Sequence, residues 1–133
     1  MTAAVDTTKG KILLVEDHED ILEAMSLLLM ESGFEVIAAR HGGEALSTLL
    51  AEDRVDLIVL DLRMPTMDGW EFLQHKKRQG SEIAQIPVLV VSSMPAAEVK
   101  GAVGVLRKPV DPQRLIDTVS RHARPPRDYH SRN

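Results

Sequence analysis

The feature that most constrains this chain is a regular alternation between short, mostly apolar, non-alternating runs and segments whose apolar residues recur at helical spacing. The runs at 11–15, 34–39, 55–61, 86–92 and 104–107 are too short for independent helices and read as strands. Between them, Ile21, Leu22, Met25, Leu28 and Leu29 form one helical stripe, and Ala45, Leu46, Leu49 and Leu50 form another behind Gly42 and Gly43. A third helix is expected over 70–79, turning Phe72, Leu73 and the stem of Lys76 inward, with Gly80 as its cap. Asp111 and Pro112 suit the N-cap and first turn of a last helix bearing Leu115, Ile116 and Val119. Strands that are apolar throughout are buried on both faces. The pattern therefore predicts a five-stranded α/β domain with a parallel sheet covered on both sides.

At 133 residues, 44% of them hydrophobic, the chain has material for one core and no second domain. Segments 1–10 and 124–133 are expected to be disordered, the latter basic and proline-containing, around a folded unit at 11–123. A formal net charge of -4 argues against a surface built to neutralise nucleic-acid phosphates. The chain has no cysteine, which removes disulfides, thiolate catalysis and thiolate zinc sites. No apolar run is long enough for a signal-peptide core or a membrane helix, so a cytoplasmic protein without membrane insertion is expected.

The strand ends carry the chemistry. In an open parallel sheet, ligands bind at the carboxyl ends of the strands near the point where the strand order reverses. Glu16 and Asp17 leave the first strand, Asp61 the third, Ser92 the fourth and Lys108 the fifth. Three converging carboxylates repel one another unless a hard cation neutralises them, and an all-oxygen set favours Mg2+. A Lys and a Ser aimed at the same place suit a phosphoryl group, with the ammonium taking charge and the hydroxyl donating a hydrogen bond. Asp61 can then act as a nucleophile and form an acyl phosphate.

Three segments together resemble the signatures of response-regulator receiver domains of two-component signalling. They are Ile12-Leu13-Leu14-Val15-Glu16-Asp17, Asp61-Leu62-Arg63-Met64-Pro65-Thr66-Met67-Asp68-Gly69 and Lys108-Pro109, and the likeness covers 11–123. It implies a CheY-like, flavodoxin-like doubly wound sheet in the order 2-1-3-4-5. By the same resemblance, Asp61 is the phosphoacceptor, Asp17 binds Mg2+ directly, Glu16 binds it through water, and the backbone carbonyl of Arg63 completes the protein's share of the metal shell. Ser92 matches the switch hydroxyl. Lys108 matches the phosphate-binding lysine, usually followed by a cis proline. The implied donor is a sensor histidine kinase or a phosphotransfer protein. Catalysis is limited to the domain's own phosphorylation and dephosphorylation, and output passes by contact to a further protein.

Two positions depart from that family pattern. Val105 stands where receivers usually carry an aromatic that rotates inward on activation, and a valine cannot make that exchange. The link 93–103 is near the minimum for a parallel crossover, so the fourth helix is expected to be short or missing. The alternative function is an interaction module that works without phosphorylation and keeps the acceptor site as a relic. Output surfaces to weigh are the first helix, the region around Trp70, and the tail. For Trp70 a packing role is at least as fitting as a partner contact. A flavin-nucleotide site is disfavoured because Glu16, Asp17, Glu19 and Asp20 would repel phosphate after the first strand. An aspartyl phosphohydrolase is disfavoured because Arg63 replaces the second acid such enzymes carry two residues after the nucleophile. With no output domain expected after 123, the chain reads as a single-domain regulator.

Overall fold

A computed structural model of the chain describes residues 8–52, 54–62, 69–93 and 99–123. The strands are β1 (Lys11–Val15), β2 (Glu35–Ala39), β3 (Leu57–Asp61), β4 (Val88–Ser92) and β5 (Gly104–Arg107). The helices are α1 (Glu19–Glu31), α2 (Gly42–Ala51), α3 (Gly69–Lys77), the single turn α4 (Ser81–Ala84) and α5 (Pro112–His122). Every strand pairing is parallel, and the order is β2-β1-β3-β4-β5, the flavodoxin-like arrangement expected.

The apolar runs are continuous because both faces of the sheet are covered. Ile12, Leu14, Leu57, Val59, Leu89 and Val91 pack with Leu22, Met25 and Leu29 of α1 and Leu115 and Val119 of α5. Their alternate neighbours Leu13, Val15, Ile58, Leu60, Val88 and Val90 pack with Ala45 and Leu49 of α2 and Phe72 of α3. β3 and β4 are buried along their whole length. Such burial fixes register, because a slip of one residue would exchange the two cores. Asp111 caps α5 as expected, its carboxylate accepting from Arg114 N at 2.9 Å, with Pro112 in the first turn. Ahead of β1, Lys9 N donates to Gly33 O and Glu35 N to Gly10 O, both at 2.9 Å.

Several boundaries differ from the sequence reading. The helix expected over 70–79 ends at Lys77, and tighter bonds from Arg78 N to His75 O and from Gln79 N to Lys76 O close its last turn. Gly80 opens α4 instead of capping α3, its carbonyl accepting from Ala84 N. One turn is too short to leave a periodic pattern in sequence. β4 begins at Val88 because Pro87 has no N–H for the ladder and Ile86 N turns back to Ile83 O. Leu50 is 61% exposed, past the edge of the α2 stripe. In the crossover before β5, the described residues 99–103 form no helix, and residues 94–98 lie outside the described set.

Lys76 goes further inward than its stem. The residue is only 5% exposed, its Nζ donates to Ala84 O at 2.7 Å, and burial pulls its pKa down to about 8. The unfolded chain, with a lysine near 10.5, therefore holds more protons than the folded one between pH 8 and 10.5, and stability rises with pH across that window. Below it the buried ammonium is a standing cost. Lys76→Met is expected to stabilise the fold by about 2 kcal/mol at pH 7 and to remove the alkaline gain. Urea denaturation at pH 7 and pH 10 measures both, and a variant no more stable than the parent at pH 7 would contradict this.

Candidate functional site

β1 and β3 lie side by side where the order reverses, since the chain leaves β1 for β2 on one side and reaches β3 on the other. Their register pairs Val15 with Leu60, which sets the next residues, Glu16 and Asp61, abreast at the carboxyl edge. Asp61 pairs with Val91 of β4, so Ser92 stands one residue further along. Ser92 pairs with Arg107 of β5, and Lys108 N then donates to Ser92 O at 2.9 Å. Four strands thus deliver their polar ends to one edge.

The Lys108 ammonium joins two of them, with Nζ 2.7 Å from Glu16 Oε1 and 3.3 Å from Asp61 Oδ2. The second oxygen of Glu16 accepts from His18 N at 3.0 Å, so the turn into α1 holds the carboxylate in place. Glu16, Asp61 and Ser92 are buried, while Asp17 is exposed. Burial pushes the Glu16 carboxyl above the usual range, against the pull of Lys108 and His18 N, and the Asp61 charge adds to the rise. Burial by itself would lower the Lys108 pKa. Its hydrogen bond to Glu16 and the charges of Asp61 and Glu16 outweigh that and hold it above the ordinary lysine value, fully charged. Among the described residues at this edge there is one ammonium and three carboxylates, an excess of negative charge.

Glu16, Asp17 and Asp61 each offer one oxygen, all within 4.8 Å of one another. All-oxygen donors in this number, with one residue open to solvent, fit a hard divalent cation that keeps part of its water. The donor set therefore suits Mg2+. An apolar groove of about 650 Å3 runs from Lys108 between α1 and the start of α5, walled by Ile21, Met25, Leu28, Val110 and Leu115. The Lys108-Pro109 peptide is cis, as the resemblance implied.

The structure brings together Glu16, Asp17, Asp61 and Lys108, and places Ser92 on the neighbouring strand end. Arg63 lies outside the described residues. Sequence reasoning missed two supports. His18 serves through its backbone N–H, which no side-chain pattern discloses. Gly69 packs α3 onto the backbone of Asp61 and Leu62, and its only sequence signal is a glycine opening a helix after a strand-end acid.

Residues 12–120 match the family model described as "Response regulator receiver domain". Among curated proteins, the chain is 39% identical over 112 residues to the putative two-component response regulator ARR21 of Arabidopsis thaliana, covering 80% of this chain and 18% of that protein. It is 34% identical to the response regulator protein FleR of Pseudomonas aeruginosa, over 86% of this chain and 24% of the relative. The chain thus spans about a fifth to a quarter of these relatives. Among solved structures, the chemotaxis response regulator CheY4 of Vibrio cholerae superimposes with a TM-score of 0.78 at 35% identity, covering 86% of this chain and 98% of the other. Among the described residues, no helix is long and apolar enough to cross a membrane.

Proposed function

The chain belongs to the response regulator receiver domain family, and on that premise we propose that Asp61 accepts a phosphoryl group from a phosphohistidine donor. The observation that carries this reading is the Lys108 ammonium lying against both Glu16 and Asp61. An ammonium so placed neutralises charge on a phosphoryl group arriving at the Asp61 carboxylate, the nucleophile. An Asp61 carboxylate oxygen attacks phosphorus and the P–N bond to the donor imidazole breaks. The bond's electron pair leaves with the imidazole, which takes up a proton from solvent. Lys108 stays charged throughout, and the Ser92 hydroxyl donates to a phosphoryl oxygen. Mg2+, when held by Asp17, Asp61 and the Arg63 carbonyl, with Glu16 acting through water, would supply further neutralisation of the phosphoryl oxygens. The donor is a sensor histidine kinase or phosphotransfer protein.

In this reading the protein turns over only its own phosphoryl group, works in the cytoplasm and signals by contact with another protein. Incubation with phosphoramidate should phosphorylate it in Mg2+ and leave it unmodified when the metal is chelated. Equal labelling in both conditions, or none in either, would count against the proposal. Val105 favours a second reading. The residue is half-buried against the core on the α2 and α3 side, a position from which a valine has no aromatic ring to swing. An interaction module indifferent to phosphorylation would bind its partner equally before and after treatment with the donor.

A further inference from the structure

Lys76 is the only buried cation among the described residues, and the acceptor site does not use it. Among the described residues its ammonium has one acceptor, Ala84 O at 2.7 Å, and two of its three N–H groups have none. A buried ammonium is stabilised by a counterion far more than by a single carbonyl. No carboxylate lines the space beside it among the described residues. That space is a cavity of about 330 Å3, walled by Trp70 and Leu73 of α3 and reaching Lys77, Lys100 and Gly101. Lys77 and Lys100 are exposed and stand at its rim. In a chain of net charge -4, three lysines meet around an apolar wall with no acid among them.

We propose that this cavity binds a small organic carboxylate, its apolar body against Trp70 and Leu73 and its carboxylate on the Lys76 ammonium. Lys77 and Lys100 draw the anion to the mouth, and Lys76 forms the short charged hydrogen bonds that hold it. The volume lies at the lower end of the range for small-molecule sites, which suits a ligand of roughly ten heavy atoms. A fully hydrated anion such as inorganic phosphate does not fit the apolar wall. The lowered pKa of Lys76 agrees with a missing counterion, and a bound carboxylate raises it back toward the ordinary lysine value.

Trp70 is the only tryptophan and walls this cavity, so its fluorescence reports on occupancy there. Titration with hexanoate, under chelation so that the acceptor site holds no metal, should give a saturable change with a dissociation constant on the order of 1 mM. Hexanamide and inorganic phosphate should give no saturable change. Lys76→Met, expected to fold more stably than the parent, should bind hexanoate about 30-fold more weakly or worse. At pH 9 the Lys76 Nζ resonance should move toward the charged form on hexanoate addition. No saturable response to hexanoate, an equal response to hexanamide or to phosphate, or unchanged binding by Lys76→Met would each overturn the proposal.

Discussion

Asp61→Asn protein is expected to take up no phosphoryl group and, in metal-free buffer, to be more stable than the parent. The first effect follows from chemistry, since a carboxamide is not a nucleophile toward phosphorus at neutral pH. The second follows from the charge at the strand ends. Asp61 gains from Lys108 at 3.3 Å but stands within 4.8 Å of oxygens of both Glu16 and Asp17. At an effective dielectric near 20, each contact with a like charge costs a few kcal/mol, and removing the Asp61 charge relieves both. Asn keeps the shape and removes the charge. A gain of about 1 kcal/mol, or about 3 °C in Tm, is expected without metal. Added Mg2+ should stabilise the parent by mass action and the variant much less. Parallel melts with and without Mg2+ measure this, and an Asn variant less stable than the parent in chelator would show that Lys108 outweighs the two acids.

Gly69→Ala should have the largest effect of any single added methyl group near the site. A Cβ at Gly69 would lie 2.6 Å from Leu62 Cα and 3.0 Å from Asp61 O, distances at which backbone must move. The contact is close because Gly69 N donates to Leu62 O at 2.9 Å, tying the start of α3 to the strand that carries Asp61. Overpacking against a rigid buried strand is expected to cost about 2–3 kcal/mol. The same displacement shifts Asp61 against Lys108, and a misplacement of about 1 Å is enough to slow phosphorylation tenfold or more. Gly80→Ala is the control. A Cβ there meets nothing within 4 Å, so its stability should change by no more than about 0.5 kcal/mol. Urea denaturation and phosphoramidate labelling of both variants read the two effects. Equal behaviour of the two alanine variants would contradict the account of Gly69.

The sheet was legible because burial on both faces leaves no ambiguity in sequence. The runs at 12–15, 57–60 and 88–91 are apolar without alternation, the composition of parallel strands under two helical layers. The site was legible for a related reason, since a parallel sheet gathers all its strand exits at one edge, and Glu16, Asp61 and Lys108 meet there. What escaped had no pattern to carry it. α4 is one turn, the exposure of Leu50 depends on the width of its neighbours, and His18 acts through a backbone N–H. The burial of Lys76 was foreseen only for its stem, because charge favours snorkelling unless an acceptor such as Ala84 O waits inside.

The most direct test of the account is to locate the modified residue. After phosphoramidate treatment in Mg2+, borohydride reduces an aspartyl phosphate to homoserine, which stays in place through proteolysis and can be read by peptide mass spectrometry. Homoserine at position 61, and at no other carboxylate, is the predicted result. Homoserine at position 16 or 17, or phosphorylated protein that yields none, would contradict the assignment of Asp61 as acceptor.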